Sequence, residues 1–255
     1  MPQFITVENR DAVTILTLNR PDLRNALSQA LRLEVIDALA TFNADDNQRA
    51  LVITGAGDRA FCAGQDLKEA ESLNEHNAAE WQDQLRAYLD AFRQLDKPAI
   101  AAINGAATGA GFYTALLCDI RIAHANIRMG QPEINVGFPS IIGTRLMYMT
   151  LGHSVTTELS LSGRLLSGAD AFQRDLVTEL VEPENVMPRA LAWATELAQK
   201  PPLAMNLTKQ ALREYTQDVF DGAIDTGKRL QPQAFASGEP QRVVAEFLAR
   251  KKTAN

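Results

Sequence analysis

The chain has 255 residues and a formal charge of −6 at pH 7, with 46% apolar and 22% charged residues. This is globular usage in a length that buries a large core. The acidic balance argues against nucleic acid or an anionic membrane as a main partner. No run approaches the ~20 apolar residues that span a bilayer. Neither a basic n-region nor an Arg-rich presequence opens the chain, and Cys62 and Cys118 make no disulfide framework. The cytoplasm is therefore the expected compartment. His76, His124 and His153 fall at no metal-ligand spacing, so no metal is expected.

In chain order, Phe4 to Val7 and Val13 to Leu18 alternate as paired strands around Asn9-Arg10-Asp11. Ser28 is a good N-cap for a helix to Asn43, with Leu31, Val35, Leu39 and Phe42 on one stripe. Ala50 to Thr54 is short, apolar and β-branched, the pattern of a strand buried on both faces. The Gly55-Ala-Gly that follows lacks the rest of a dinucleotide fingerprint, since Ala60 stands at the third glycine position.

Residues Lys68 to Ala79 are polar and without period, a surface excursion able to lie over a cleft. From Glu80 a helix carries Trp81, Leu85, Leu89, Phe92 and Leu95. A buried strand from Ile100 to Asn104 then leads through small residues into a helix opening near Ala110 or Gly111. Such a turn is either tight packing or a cradle for an oxygen that becomes negative, because the first amides of a helix have no partner within it.

Asp119 to Ala123 is a further strand, and Met129 to Ser140 a Gly- and Pro-rich loop with one acid, Glu133. Strands alternating with helices imply a parallel sheet with ligands at its carboxyl ends, where the turns after Thr54 and Asn104 both fall. The second half is helix-rich, only Val177 to Val181 resembling a strand. Pro201-Pro202 marks an expected boundary between a core of residues 1–200 and a helical region of residues 201–255.

Several segments in this order resemble the crotonase superfamily, the enoyl-CoA hydratases and isomerases. They are Asn19-Arg-Pro-Asp-Leu-Arg-Asn-Ala-Leu27, Ala60-Phe-Cys-Ala-Gly-Gln-Asp-Leu67, and Asn104-Gly-Ala-Ala-Thr-Gly-Ala-Gly through Cys118-Asp119 to Gly130-Gln-Pro-Glu133. Lys200-Pro-Pro-Leu-Ala204 with Lys209, and Phe247-Leu-Ala-Arg-Lys-Lys252, extend the likeness to nearly the whole chain.

The resemblance implies an α/β fold, a spiral of ββα turns with a C-terminal helical region that drives assembly into a homotrimer or a hexamer. It implies an acyl-CoA substrate and no cofactor beyond the coenzyme A of that substrate. The amides of Ala63 and Ala110 match the oxyanion hole for the thioester oxygen. Leu23, Arg24, Ala26, Gln65, Asp66 and Leu67 match the CoA-binding segments, and Phe247 and Arg250 match positions that reach CoA on a neighbouring subunit.

Of the family's two acid/base positions, one is Glu133. The other is Tyr113, where the common hydratases carry a second glutamate. Glu133 read alone is equally a first-turn acid behind Pro132, favourable against the helix dipole. Tyr113 read alone is either a hydrogen-bond donor or a packed aromatic. Ala110 stands where glycine is usual, and Gly238-Glu-Pro-Gln-Arg-Val-Val departs from the family's acidic stretch.

A single glutamate suffices for moving a double bond, and the Glu-Ile-Asn-x-Gly-x-Pro stretch resembles the hydratase-lyase branch. The expected activity is therefore of hydratase/isomerase type through a thioester enolate. Decarboxylation, hydratase-lyase chemistry, carbon–carbon hydrolysis and non-catalytic thioester binding are the alternatives.

Overall fold

The computed structural model describes residues 2–253, with side chains at 247, 248 and 250–253 excepted. β1 (Ile5–Arg10) and β2 (Val13–Leu18) form an antiparallel hairpin. Its turn is tighter than the sequence suggests, because Asp11 takes φ 51° and lets β1 run on to Arg10. α1 (Gln29–Ala44) starts where Ser28 Oγ accepts the amide of Leu31 at 3.3 Å, and it buries Leu31, Val35, Leu39 and Phe42.

β3 (Ala50–Gly55) is buried throughout and is followed by β4 (Ala60–Cys62), α2 (Leu67–Ala70) and α3 (Ala78–Arg93). Next come β5 (Ala99–Ile103), β6 (Ala106–Thr108) and α4 (Ala110–Leu117), then β7 (Ile120–Ala123), β8 (Arg128–Gly130) and a 3-10 turn over Glu133–Val136. α5 (Ile142–Ser162), β9 (Leu166–Ser167), α6 (Gly168–Phe172), β10 (Glu179–Leu180) and α7 (Val186–Ala198) lead to α8 (Pro202–Ala236) and α9 (Glu239–Thr253).

Successive ββα turns send one strand into each of two sheets. The larger has the order β1-β2-β3-β5-β7-β10 and the smaller β4-β6-β8-β9. From β2 to β10 the larger sheet is parallel. One of its faces packs on α7 through Val52, Ile100, Ala190 and Ala194. The other packs on α1 and α3 through Leu51, Ile53, Leu85 and Phe92. Burial on both faces explains why β3 and β5 read as unbroken apolar runs.

Three expectations are revised. Residues Lys68 to Ala79 are not wholly a surface excursion, since Ala70, Leu73 and Ala78 are buried with Phe138 and Phe235. Residues 203–215 and 219–235, which the sequence pattern reads as two separate helices, form one continuous helix, α8, which packs against α3 and α5. Residues 142–151, for which the sequence pattern predicts no helix, form the first part of α5, which Gly152 interrupts with non-helical angles (φ 69°, ψ −175°).

Candidate active site

β4, β6 and β8 are adjacent and parallel, so the segments that leave their carboxyl ends lie side by side. Ala63-Gly64 follows β4, Gly109-Ala110 follows β6, and Gln131-Pro132-Glu133 follows β8. The site therefore sits on the smaller sheet, one strand later than the turns after Thr54 and Asn104.

Gly109 has φ 55° and ψ −127°, and a Cβ there would stand 3.1 Å from Glu133 Oε1. Only glycine combines that conformation with so near a carboxylate. A Cβ on Gly64 would lie 3.3 Å from the amide nitrogen of Ala110, which brings the β4 turn against the start of α4. Ala110 is the first residue of α4, so its N–H has no acceptor within the helix and lies at the positive end of the helix dipole.

Glu133 opens the 3-10 turn with its carboxylate buried. Oε1 accepts the phenol of Tyr113 at 2.5 Å, and Oε2 is buried without a partner. Burial raises the carboxyl to about 7, against the lowering pull of the Tyr113 hydrogen bond. Burial, and then the negative charge of Glu133, push the Tyr113 phenol well above its ordinary value. Tyr113 is thus a donor at neutral pH. Its hydroxyl also lies 3.3 Å from Gln131 Oε1, while Gln131 Nε2 donates to Ser160 Oγ at 2.8 Å. Gly143 in α5 allows this arrangement, because a Cβ there would overlap both Gln131 Oε1 and the Tyr113 ring.

The two predicted CoA-binding segments meet. Leu27 N–H donates to the Gly64 carbonyl at 2.8 Å, and Asp66 N–H to the Leu27 carbonyl at 3.2 Å. Arg20 clamps them, donating to the Ala26 carbonyl at 2.6 Å and to Asp66 Oδ2 at 2.9 Å. Asp66 also caps α2 by accepting the amide of Lys68, so both of its oxygens serve the scaffold. Leu23 and Arg24 are exposed, Ala26 and Gln65 half-buried, and Leu67 opens α2.

The Ala63 amide donates to the Arg24 carbonyl at 3.0 Å. A substrate oxygen would share or displace that bond. Arg24 and Asn25 are both left-handed (φ 53° and 56°). Asn25 is held there by bonds to the Arg20 amide and to the carbonyls of Ala56 and Ala60. Phe247 and Arg250 belong to α9, but their side chains lie outside the described residues.

Sequence reasoning missed Arg32 and Gln131. Both are buried polar residues; Arg32 stands between Leu31 and Leu33, a mismatch that was an available signal, whereas Gln131 lies in a Gly- and Pro-rich loop that gives none.

Two interleaved sheets wound by ββα turns, with a buried acid beside a helix-opening amide, define a crotonase fold. The family model for enoyl-CoA hydratase/isomerase matches residues 8–254, and the chain belongs to that family. It is 32% identical over 249 residues to a crotonyl-CoA hydratase of Syntrophomonas wolfei, covering 97% of this chain and 96% of that protein. It is 35% identical over 249 residues to a 2,3-dehydroadipyl-CoA hydratase of Escherichia coli, with 97% and 96% covered. A solved enoyl-CoA hydratase/isomerase from Mycobacterium paratuberculosis superposes with a TM-score of 0.88 at 26% identity, covering 96% of this chain and 99% of that one. The chain is an enzyme of hydratase/isomerase type. Among the described residues no helix is long and apolar enough to cross a membrane.

Proposed function

We propose that the enzyme transforms an acyl-CoA through a thioester enolate, in a hydration or isomerisation that uses Glu133 as its acid/base. The observation that carries this reading is the carboxylate of Glu133, set against the Gly109-Ala110 turn with its Oε2 buried and unpartnered. A proton α to a thioester becomes removable when the carbonyl oxygen can carry charge. The free amide of Ala110, joined by that of Ala63 once it leaves Arg24, supplies the donors. A carboxyl raised to about 7 is matched to taking and returning a proton near neutrality.

Tyr113 orients Glu133 by holding Oε1, which leaves Oε2 as the atom that meets the substrate. A phenol spent on Glu133 is not a second base. One carboxylate then shuttles the proton, which favours double-bond migration or single-acid hydration. The CoA lies along Leu23 to Ala26 and Ala63 to Leu67. Leu203, Leu207, Leu212 and Tyr215 are exposed along the first half of α8, apolar surface that suits assembly into a homotrimer or hexamer.

The test is a panel of acyl-CoA thioesters, crotonyl and 2,3-dehydroadipyl included, followed by mass spectrometry. Gain of water, loss of carbon dioxide and carbon–carbon cleavage each change the mass, and isomerisation is seen as deuterium uptake when the reaction is run in D2O. Glu133→Gln should abolish turnover while preserving thioester binding, and unchanged turnover would remove Glu133 from the mechanism. Absence of α-proton exchange with solvent across the panel would leave a binding protein only.

A further inference from the structure

Gln131 is 1% exposed and lies two residues before Glu133, where its side chain joins α4 to α5. Its Oε1 stands 3.3 Å from the Tyr113 hydroxyl, and its Nε2 stands 2.8 Å from Ser160 Oγ and 3.3 Å from Thr144 Oγ1. The hydroxyl hydrogens decide which end of the amide faces which partner. Thr144 gives its one hydrogen to the Ser140 carbonyl at 2.5 Å. Thr144 Oγ1 and Ser160 Oγ are 3.0 Å apart, so the hydrogen between them is that of Ser160. Ser160 Oγ then offers Gln131 only a lone pair, and the Gln131 atom beside it is the NH2 donor. The amide oxygen is thereby fixed against Tyr113.

Tyr113 has one hydrogen and two acceptors for it. Glu133 Oε1, at 2.5 Å, takes that hydrogen while the carboxylate is charged, because a bond to a charged acceptor is the stronger. Gln131 Oε1 then faces a phenol lone pair, and among the described residues no other donor reaches it. Protonation of Glu133 ends the competition. A carboxyl with its proton on Oε1 donates to the phenol oxygen, and the Tyr113 hydrogen turns to Gln131. Ionised Glu133 thus leaves a buried acceptor unmet, and neutral Glu133 does not.

We propose that Gln131 is a positioning residue for Glu133, competing for the Tyr113 hydrogen so that the carboxylate is held less firmly and takes up a proton more readily. This deepens the reading of Glu133 as the acid/base and rests on it for the catalytic consequence alone. Of the titratable groups on the elements packed against the Glu133 turn, Tyr113 of α4 faces the carboxylate. Arg145, His153 and Glu158 of α5 and, among the described residues, Glu239, Arg242 and Glu246 of α9 are exposed. Gln131 acts on Glu133 from inside the fold, through one hydroxyl.

The experiment follows the Glu133 carboxyl directly, by carbon-13 NMR of the full-length protein labelled at the glutamate side-chain carboxyls. The Glu133 signal is identified by its loss in Glu133→Gln. Gln131→Met keeps the side chain's length and removes the acceptor. It should lower the Glu133 midpoint by about one pH unit, a tenfold change in proton affinity. Thr144→Val leaves Gln131 in place but frees the Ser160 hydrogen for it. The amide then turns over and donates to the Tyr113 oxygen, so the midpoint should fall here too. In a Tyr113→Phe background, adding Gln131→Met should move the midpoint by no more than about 0.3 of a pH unit.

Loss of packing alone predicts lower stability with the midpoint in place. A midpoint that stays put or rises in Gln131→Met overturns the inference, and so does a fall of equal size in the Tyr113→Phe background. If Gln131→Met does not fold, Thr144→Val decides by the same criterion. The pH profile of turnover is recorded on the same proteins. A carboxyl midpoint that moves while that profile does not keeps Gln131 in its role and removes Glu133 as the base.

Discussion

Glu133→Gln separates a buried base from a solvated acid by stability as well as by rate. In the unfolded chain the carboxyl ionises near 4.5, and burial raises it to about 7 in the fold. The folded state therefore holds its proton more tightly than the unfolded one. The stability this confers is fully present below 4.5 and is lost as pH rises through about 7. A gap of about 2.5 between the two values, at ~1.4 kcal/mol for each, corresponds to ~3 kcal/mol at full ionisation.

Glutamine does not titrate and still accepts the Tyr113 hydrogen bond through its amide oxygen. Its NH2 replaces the unpartnered Oε2 and carries its own desolvation cost, but that cost does not change with pH. The readout is therefore the slope. Urea unfolding of both proteins, at one protein concentration and at several pH values, should show Glu133→Gln gaining on the wild type by ~3 kcal/mol between about pH 4 and about pH 8. A difference that is flat with pH would refute a buried, unpartnered carboxyl.

With Glu133 in its proposed role as base, turnover should rise with pH through a midpoint near 7. Tyr113→Phe removes a bond that lowers the Glu133 value. It should move that midpoint upward and cut turnover by more than about tenfold in a folded protein, whereas pure packing predicts an unmoved pH profile. Gly143→Ala should cost about 1–3 kcal/mol in denaturant unfolding and a large part of the activity, since its methyl overlaps Gln131 and Tyr113. Gly109→Ala should likewise lose activity, through a strained backbone and a Cβ close to Glu133 Oε1. Arg20→Met leaves Asp66, 12% exposed by its side chain, without its cation. It should weaken CoA-thioester binding and lower the midpoint of unfolding.

The larger sheet was readable because β3 and β5 are apolar on both faces and long enough to show it. The smaller sheet was not. Ala60–Cys62, Ala106–Thr108 and Arg128–Gly130 are three residues each, too short for a period to appear. The site hangs from their ends, so Ala63, Ala110 and Glu133 were identified by likeness and their common footing only by geometry. The same holds for Tyr113. Its 2.5 Å bond to Glu133 depends on Gly143 in α5, a helix that Gly152 hid from pattern reading. No sequence feature announced that the Ala63 amide is engaged by Arg24, because backbone pairing between separate loops leaves no mark on side-chain type.

The last helix touches the segment that carries the acid. A Cβ on Gly137 would lie 3.1 Å from Cα of Pro240, and Phe138 stacks edge-on against Phe235 at 5.6 Å between ring centroids. Gln241 reaches back to the carbonyl of Leu73 at 3.2 Å. Residues 133–138 thus take their final seat from a part of the chain made about a hundred residues later. During synthesis, which proceeds N-terminus first, the sheets and α3 can form on the ribosome while the acid still lacks its backing. A chain stalled before α9 emerges would carry Glu133 without that backing, so that the seat of residues 133–138 is completed late.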